Sequence, residues 1–595
     1  MSPENTTGLP TRPRRYLVAQ DSTMLATAGF GGPLDFGSVV EQLQHDPRVE
    51  VRQSLRPRSV SAQTLGTTIT DHVVVADMPD DVAAELRGHP QVVIEEDHLL
   101  QPQELIGGTI DPGVLIPFGV STSWSLKIVD EADRPVVGAT VYLYGSGVPA
   151  QGRTDDTGMI SISLLNESDA GLRALYVNPQ SGYWSMWVDR PQLTSGSLNT
   201  VRLQSLGAEL PGFPDQQLIG WGQRAMRLES VPAGMTGRGI KVAVVDSGAA
   251  VRTHADLGAI HSGMDLTTTP ANDQQWIDDT IAHGSHCSGI IAGADNGRGI
   301  RGFAPDAELV ELRIFPGGRV SSLIDAVDYC IDQQIDVVNM SLGTGGSSQI
   351  LLQKIAQAKE LGVACIVAAG NTGGEVQFPG VSPDVLTVSA IGSQGTFPDN
   401  SYHAQQRWSG GTLDHDLFAA QFSCHGPEVD VAGPGVAIVS SVPPDGFAAW
   451  DGTSMATPHI TGLAALTLAH HPDFAGGALS NRNAARVDHL FDLLRAAATP
   501  LSFGDPQRSG AGLPDCLRAL GLQPGAQGSF PDAAAADADA IRIALAQLRL
   551  QLLAAGLLTE PAGAALVDDG LSERTRIRRG MAELRAQMLA ASLSV

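Results

Sequence analysis

The chain has 595 residues, 43% of them apolar, with 38 Lys and Arg set against 64 Asp and Glu for a formal net charge of −26. That length points to about three to five domains, and the apolar share supports packed cores. The acidity argues against a nucleic-acid partner, since phosphate binding needs basic patches, and no apolar run is long enough to cross a bilayer, so no membrane partner is expected either.

Residues 1–13 are polar and Pro-rich and are expected to be disordered. The opening MSPENTTGLPTRPRRYLVAQ carries no apolar h-region of a secretory signal, so a cytoplasmic location is the expectation, with nonstandard secretion as the alternative. RRYLVAQ (14–20) reads as a strand, HVVVADMP (72–79) as a second, DDVAAELRGHP (80–90) as a helix and QVVIEEDHLL (91–100) as a third strand. Together they predict a small α+β module over 14–104.

Residues 108–205 change character. WSLKIVDEADRPVVGATVYLYGSG and GRTDDTGMISISLL alternate polar and apolar residues, with DRP and DDTG turns between them. Short antiparallel strands of this kind predict a β-sandwich. Its pieces resemble the small immunoglobulin-like domains that serve as stalks or spacers.

Over 211–521 apolar strands alternate with helices. GIKVAVVDSG (239–248), DVVNMSLG (336–343), GVACIVAAGN (362–371) and DVLTVSAIG (384–392) are strands; SLIDAVDYCIDQQ (322–334) and QILLQKIAQAKELG (349–362) are helices. The pattern predicts an α/β domain with a doubly wound, mostly parallel sheet covered on both faces. Residues 529–595 are Ala-rich with helical spacing and predict a helical hairpin tail. The five cysteines, at 287, 330, 365, 424 and 516, contain no CxxC pair, so neither a disulfide framework nor a zinc site is expected.

Three places in the α/β region carry chemistry. VAVVDSG puts Asp246 at the C-terminal edge of a buried strand, where sites form in parallel sheets. GRGIK precedes that strand, so the dinucleotide-binding fingerprint fails. DDTIAHGSHCSGIIAG (278–293) opens an apolar helix with His283 and His286, without the glutamate or third ligand of a zinc motif. Gly284 and Ser285 let a neighbouring backbone come close to His283. DGTSMATPHITG (451–462) sets Ser454 among small residues where a helix starts. This is either a plain helix cap or a nucleophile with room for substrate. A serine hydroxyl becomes a nucleophile when a base stands within hydrogen-bond reach and a carboxylate orients the base.

VAVVDSG, HGSHCSG, VVNMSLG, AAGN and GTSMATPHITG, in this order across about 300 residues, resemble the subtilase family of serine proteases. The chain order Asp, His, Ser is the order that family uses. The resemblance implies Asp246 as the orienting acid, His283 as general base and acid, Ser454 as nucleophile and Asn371 as an oxyanion donor beside the Ser454 N–H. It implies Ser341, Leu342 and Gly343 as an edge that pairs with substrate backbone, and Ala368, Ala369 and Gly370 as the opposite wall of an open pocket. It implies a structural calcium site at Gln216, Asp256, Ala294, Asn296, Arg298 and Ile300; the plainer reading there is a polar surface loop. No cofactor is required for the chemistry. Cys287 matches a position where some subtilases carry a cysteine.

The 14–104 module resembles a subtilase propeptide, an intramolecular chaperone and inhibitor whose C-terminal segment lies in the cleft, with self-cleavage after the LLQPQ region. The partners implied are a peptide or protein substrate and the chain's own propeptide. The segment 392–426, holding His403, Asp414, His415 and Asp416, looks like an insertion and reads as a solvated loop. The leading function is a serine endopeptidase made as a self-maturing zymogen. The rival is an interaction protein whose protease fold stays blocked by its front segment until a partner acts.

Overall fold

A computed structural model describes residues 13–20, 36–55, 72–89, 92–102 and 120–523. The N-terminus up to residue 12 and the tail expected at 529–595 lie outside the described residues. Among those described, no helix is long and apolar enough to cross a membrane.

The N-terminal module is an antiparallel sheet in the order β2-β3-β1-β4, with β1 Arg14–Gln20, β2 Glu50–Leu55, β3 Val73–Met78 and β4 Val92–Glu96. Helices Phe36–His45 and Asp80–Arg87 cover one face. Alternation along β1 decides which side chain goes where. Tyr16 and Val18 join Phe36, Val39, Leu43 and Val82 in the module's own core. Leu17 and Ala19, one residue out of phase, join Val73, Val75 and Leu100 in a core shared with helices Val320–Asp332 and Gln349–Glu360. The module is thus seated on the α/β domain through its bare sheet face. Its helix at 36–45 and strand at 50–55 have no counterpart among the elements expected from the sequence.

The β-sandwich packs one sheet, β11-β10-β7-β8, on another, β12-β6-β9. Its strands are β6 Ser121–Val129, β7 Thr140–Tyr144, β8 Ala150–Arg153, β9 Met159–Leu165, β10 Ala174–Asn178, β11 Met186–Asp189 and β12 Leu198–Arg202. Trp124, Leu126, Val141, Leu143, Ile162 and Leu175 fill the space between the sheets.

The α/β domain has a sheet in the order β14-β15-β13-β16-β18-β19-β20, with β21 pairing to β19. Here β13 is Lys241–Asp246, β14 Ser262–Asp265, β15 Glu308–Arg313, β16 Val337–Met340, β18 Ala364–Ala368, β19 Val385–Ser393, β20 Leu417–Ala419 and β21 Val431–Pro434. Every pairing in it is parallel except β19 with β20. The doubly wound, mostly parallel sheet expected from the sequence is present. Helix Thr453–His470 runs through the core, buried from Thr453 to Leu468. The small residues after Ser454 fit this burial, and the neighbouring strand is small too: a Cβ on Gly433 would stand 2.7 Å from the Ala456 carbonyl.

Two features depart from expectation. The sandwich does not stand apart as a stalk would: Gly182 N–H donates to Phe447 O at 2.7 Å and Trp187 N–H to Asn400 O at 2.9 Å, joining it to the α/β domain. The 392–426 insertion is not wholly solvated either. His403 is buried and donates through Nδ1 to Asp451 Oδ1 at 2.7 Å, while His415 stays exposed beside Asp414.

Candidate active site

Asp246 ends β13 and His283 opens helix His283–Ala292. His283 Nδ1 lies 2.8 and 2.9 Å from the two carboxylate oxygens of Asp246. Both side chains are fully buried. Ala282, just before His283, has a left-handed φ of 73°, a conformation costly for a residue with a Cβ and held only by its surroundings. A Cβ on Gly284 would stand 2.2 Å from the Gly248 carbonyl, so glycine admits the turn that follows Asp246.

Asp279 organises this corner, and sequence reasoning did not single it out. Its Oδ1 accepts from Ser247 Oγ at 2.8 Å and from Ala282 N–H at 2.8 Å. Its Oδ2 accepts from the N–H and hydroxyl of Ser285 at 2.9 and 2.6 Å. Ser247 Oγ in turn accepts from Gly284 N–H at 2.9 Å. One carboxylate therefore ties the turn after Asp246 to the start of the His283 helix. Burial pushes its pKa up. The only sequence signal was a second aspartate in DDTIAHG.

Ser454 sits in the first turn of helix Thr453–His470, with its hydroxyl donating to Ser341 O at 3.0 Å. Ser341 Oγ donates to Ser454 O at 2.9 Å. Asn371 Oδ1 accepts from Thr453 N–H at 3.0 Å and from Thr453 Oγ1 at 2.8 Å, and its buried Nδ2 has no hydrogen-bond partner. A buried amide donor with no acceptor is costly unless something fills the gap. Cys287 Sγ lies 3.5 Å from Ser454 O. None of the five cysteines forms a disulfide and all are buried.

The expected substrate edge is already occupied. β5 (Gln101–Pro102) pairs antiparallel with β17 (Leu342–Gly343), Gln101 opposite Gly343 and Pro102 opposite Leu342. Just before it, Leu100 N–H donates to Gly318 O at 2.9 Å, and Val320 N–H donates to His98 O at 3.0 Å. Ala368 and Ala369 are buried behind the site, and Gly370 N–H reaches Thr453 Oγ1 at 3.3 Å. Two acidic residues of the N-terminal module bind helix N-termini. Asp97 accepts from the N–H and hydroxyl of Ser321 at 2.9 and 2.8 Å. Glu95 accepts from Ser348 Oγ at 2.6 Å and Gln349 N–H at 2.7 Å.

At the expected calcium loop, Asp256 is buried. Its Oδ1 accepts from Asn296 Nδ2 at 3.0 Å and its Oδ2 from Ile300 N–H at 2.9 Å. The amide that reaches the loop belongs to Gln217, whose Nε2 donates to Ala294 O at 2.7 Å and Arg298 O at 3.3 Å. The expected Gln216 instead turns toward Gly212. The position implied by the resemblance misses by one because loop length, unlike strand pairing, is not constrained. The Arg298 guanidinium points away, to Asp445 at 3.2 Å. A buried carboxylate, two carbonyls, Asn296 and a glutamine amide that can present either end form an oxygen-rich set suited to a hard cation. Burial raises the Asp256 pKa, the desolvation a cation would relieve.

Comparison with known proteins agrees with this geometry. The Subtilase family profile matches residues 237–512. Subtilisin of Bacillus pumilus is 34% identical over 265 residues, covering 43% of this chain and 86% of its own length. Subtilisin E of Bacillus subtilis (strain 168) is 34% identical over 265 residues, 62% of its length. Subtilisin DY of Bacillus licheniformis is 29% identical over 285 residues, 94% of its length. The chain belongs to the subtilase family and is a subtilisin-like serine endopeptidase.

Proposed function

We propose that Ser454, His283, Asp246 and Asn371 carry out peptide-bond hydrolysis and that the chain is made as a zymogen inhibited by its own N-terminal module. Ser454 Oγ turns from the Ser341 carbonyl to His283 Nε2, gives up its proton there and attacks the substrate carbonyl. Asp246 holds Nδ1–H and stabilises the imidazolium. Asn371 Nδ2 and the Ser454 N–H receive the oxyanion. His283 returns the proton to the leaving amine, and water then releases the acyl group by the same route.

The observation that carries the triad reading is the 2.8 Å contact between buried His283 and buried Asp246, with an unpartnered Asn371 amide beside Ser454. The inhibition reading rests on β5, which adds a strand to the edge where substrate backbone would pair. The register of Gln101 and Pro102 on Gly343 and Leu342 supports self-cleavage at the bonds just after Pro102. Calcium at Asp256, Asn296 and Gln217 is proposed as a structural ion that takes no part in the chemistry; when bound it would neutralise the buried carboxylate.

The test is the intact mass of purified wild-type protein beside Ser454→Ala. Loss of an N-terminal fragment from wild type alone supports a working nucleophile and a removable front. If both stay whole and neither cleaves a casein-like substrate, the self-maturing reading fails and the partner-triggered reading takes its place.

A further inference from the structure

The groove occupied by β5 is only half of a substrate site. The strand runs from His98 past Gly318 and on to Leu342, bringing its C-terminal end toward Ser341, whose carbonyl takes the Ser454 hydroxyl. A peptide held this way lays the residues before its scissile bond along that edge. The residues after the scissile bond must leave past the other neighbours of His283 and Ser454.

Those neighbours line a cavity of about 1050 Å³. Ile281 and Ala282 precede His283 in its wall, and Trp450 precedes Ser454. Gly318, Leu342, Gly343 and Ala368–Gly370 take no part in the lining. The opposite wall comes from the β-sandwich, through Gly147, Gln151 and Tyr176, and from the insertion, through Tyr402.

Ring and hydrogen-bond contacts seat this wall on its neighbours. The Tyr176 and Tyr402 rings lie 4.4 Å apart, joining sandwich to insertion. Trp450 stacks on His286 at 4.6 Å, and its centroid is 6.5 Å from that of His283. Ser185 of the sandwich contacts His403 at 3.4 Å, and His403 holds Asp451.

We propose that the β-sandwich is a substrate-binding wall of the protease, and that this cavity receives the second and later residues of a peptide on the C-terminal side of the scissile bond. The inference rests on the triad reading above. Its volume of about 1050 Å³ lies just above the range of ordinary ligand pockets, roughly 300–1,000 Å³, and so holds several side chains. Its Tyr and Trp lining suits large apolar or aromatic residues.

The test uses the matured enzyme and two substrates with the same N-terminal half. One ends in a p-nitroanilide; the other continues for four residues past the cut and carries a fluorophore and quencher. Gly147→Trp puts an indole into the cavity, since nothing lies within 4 Å of a Cβ at that position. The expected result is an at least tenfold fall in the ratio of kcat/KM for the extended substrate to that for the anilide; a ratio is insensitive to uniform loss of folded enzyme. In wild type, extended peptides with Phe, Tyr or Leu at the second or third residue past the cut should be cleaved at least fivefold faster than those with Gly or Asp. An unchanged ratio together with a flat preference overturns the proposal. If wild type fails to cleave the anilide at all, the triad reading falls, and this one with it.

Discussion

Asn371 Oδ1 accepts both the N–H and the hydroxyl of Thr453, at 3.0 and 2.8 Å, so the residue preceding Ser454 aims the Asn371 amide. The amide end left over, Nδ2, is buried without a partner. Preorganised donors aimed where charge develops supply much of the rate enhancement in acyl transfer.

Asn371→Leu is therefore expected to lower kcat by about 10²–10³ with little change in KM, a magnitude established for such a donor in a subtilisin itself. Thr453→Val should lose less, because it misaligns the donor without removing it. Steady-state kinetics on a peptide anilide separates the two. A KM effect without a kcat effect would assign Asn371 to ground-state binding.

Asp97 and Glu95 hold the N-terminal module to two helix N-termini. Such caps are worth about 1 kcal/mol each, or a factor of about five in affinity. Asp97→Ala and Glu95→Ala should each weaken inhibition of the mature enzyme by the separately added module about fivefold. Inhibition constants for the three modules check this.

Removing a cation from the Asp256 loop should lower the melting temperature, with recovery on adding calcium but not magnesium, which demands a tighter octahedral site. Asp256→Asn should abolish the calcium-dependent part. Thermal unfolding with chelator, calcium and magnesium is the measurement. A melting temperature indifferent to calcium would leave the loop as a hydrogen-bonded surface turn.

His459 is wholly buried, and desolvation lowers its pKa from 6.5 to about 4. His286 is lowered to about 3, chiefly for the same reason. Below pH 6.5 the unfolded chain takes up protons that these folded histidines refuse. Their contribution to stability is thus present above pH 6.5 and lost as pH falls toward 4. Buried Glu311, whose pKa is driven up, acts in the opposite sense, so a variant isolates the effect better than the wild-type slope. His459→Gln should lose less melting temperature between pH 7 and pH 5 than wild type does. An equal loss in both would assign the acid sensitivity elsewhere.

The chemistry was legible because it lies in short contiguous patterns. An all-apolar strand ending at Asp246, a helix opening at His283 and a small-residue helix start at Ser454 each state their local geometry, and a parallel sheet gathers strand ends on one edge. The propeptide resemblance was legible in its strands and implied a C-terminal segment in the cleft, but the docking of its sheet face was not legible. That docking depends on Leu17 and Ala19 facing outward from a sheet whose other face already has a core.

What the sequence by itself determined was the sheet type, the candidate triad and the oxyanion amide. The sheet type depends on backbone periodicity, while the triad and the oxyanion amide follow from the resemblance of short contiguous motifs to the subtilase family. Only the tertiary structure decided that Gln217, not Gln216, meets the calcium loop, that Asp279 ties the corner beneath His283, and that His403 is buried. It alone brought the β-sandwich to the same cavity as Trp450. Those facts come from segments apart in the chain meeting in space, 32 residues for Asp279 with Ser247, 77 for Gln217 with Ala294 and 218 for Ser185 with His403. Shape and hydrogen-bond complementarity between distant segments leaves no period in the sequence to read.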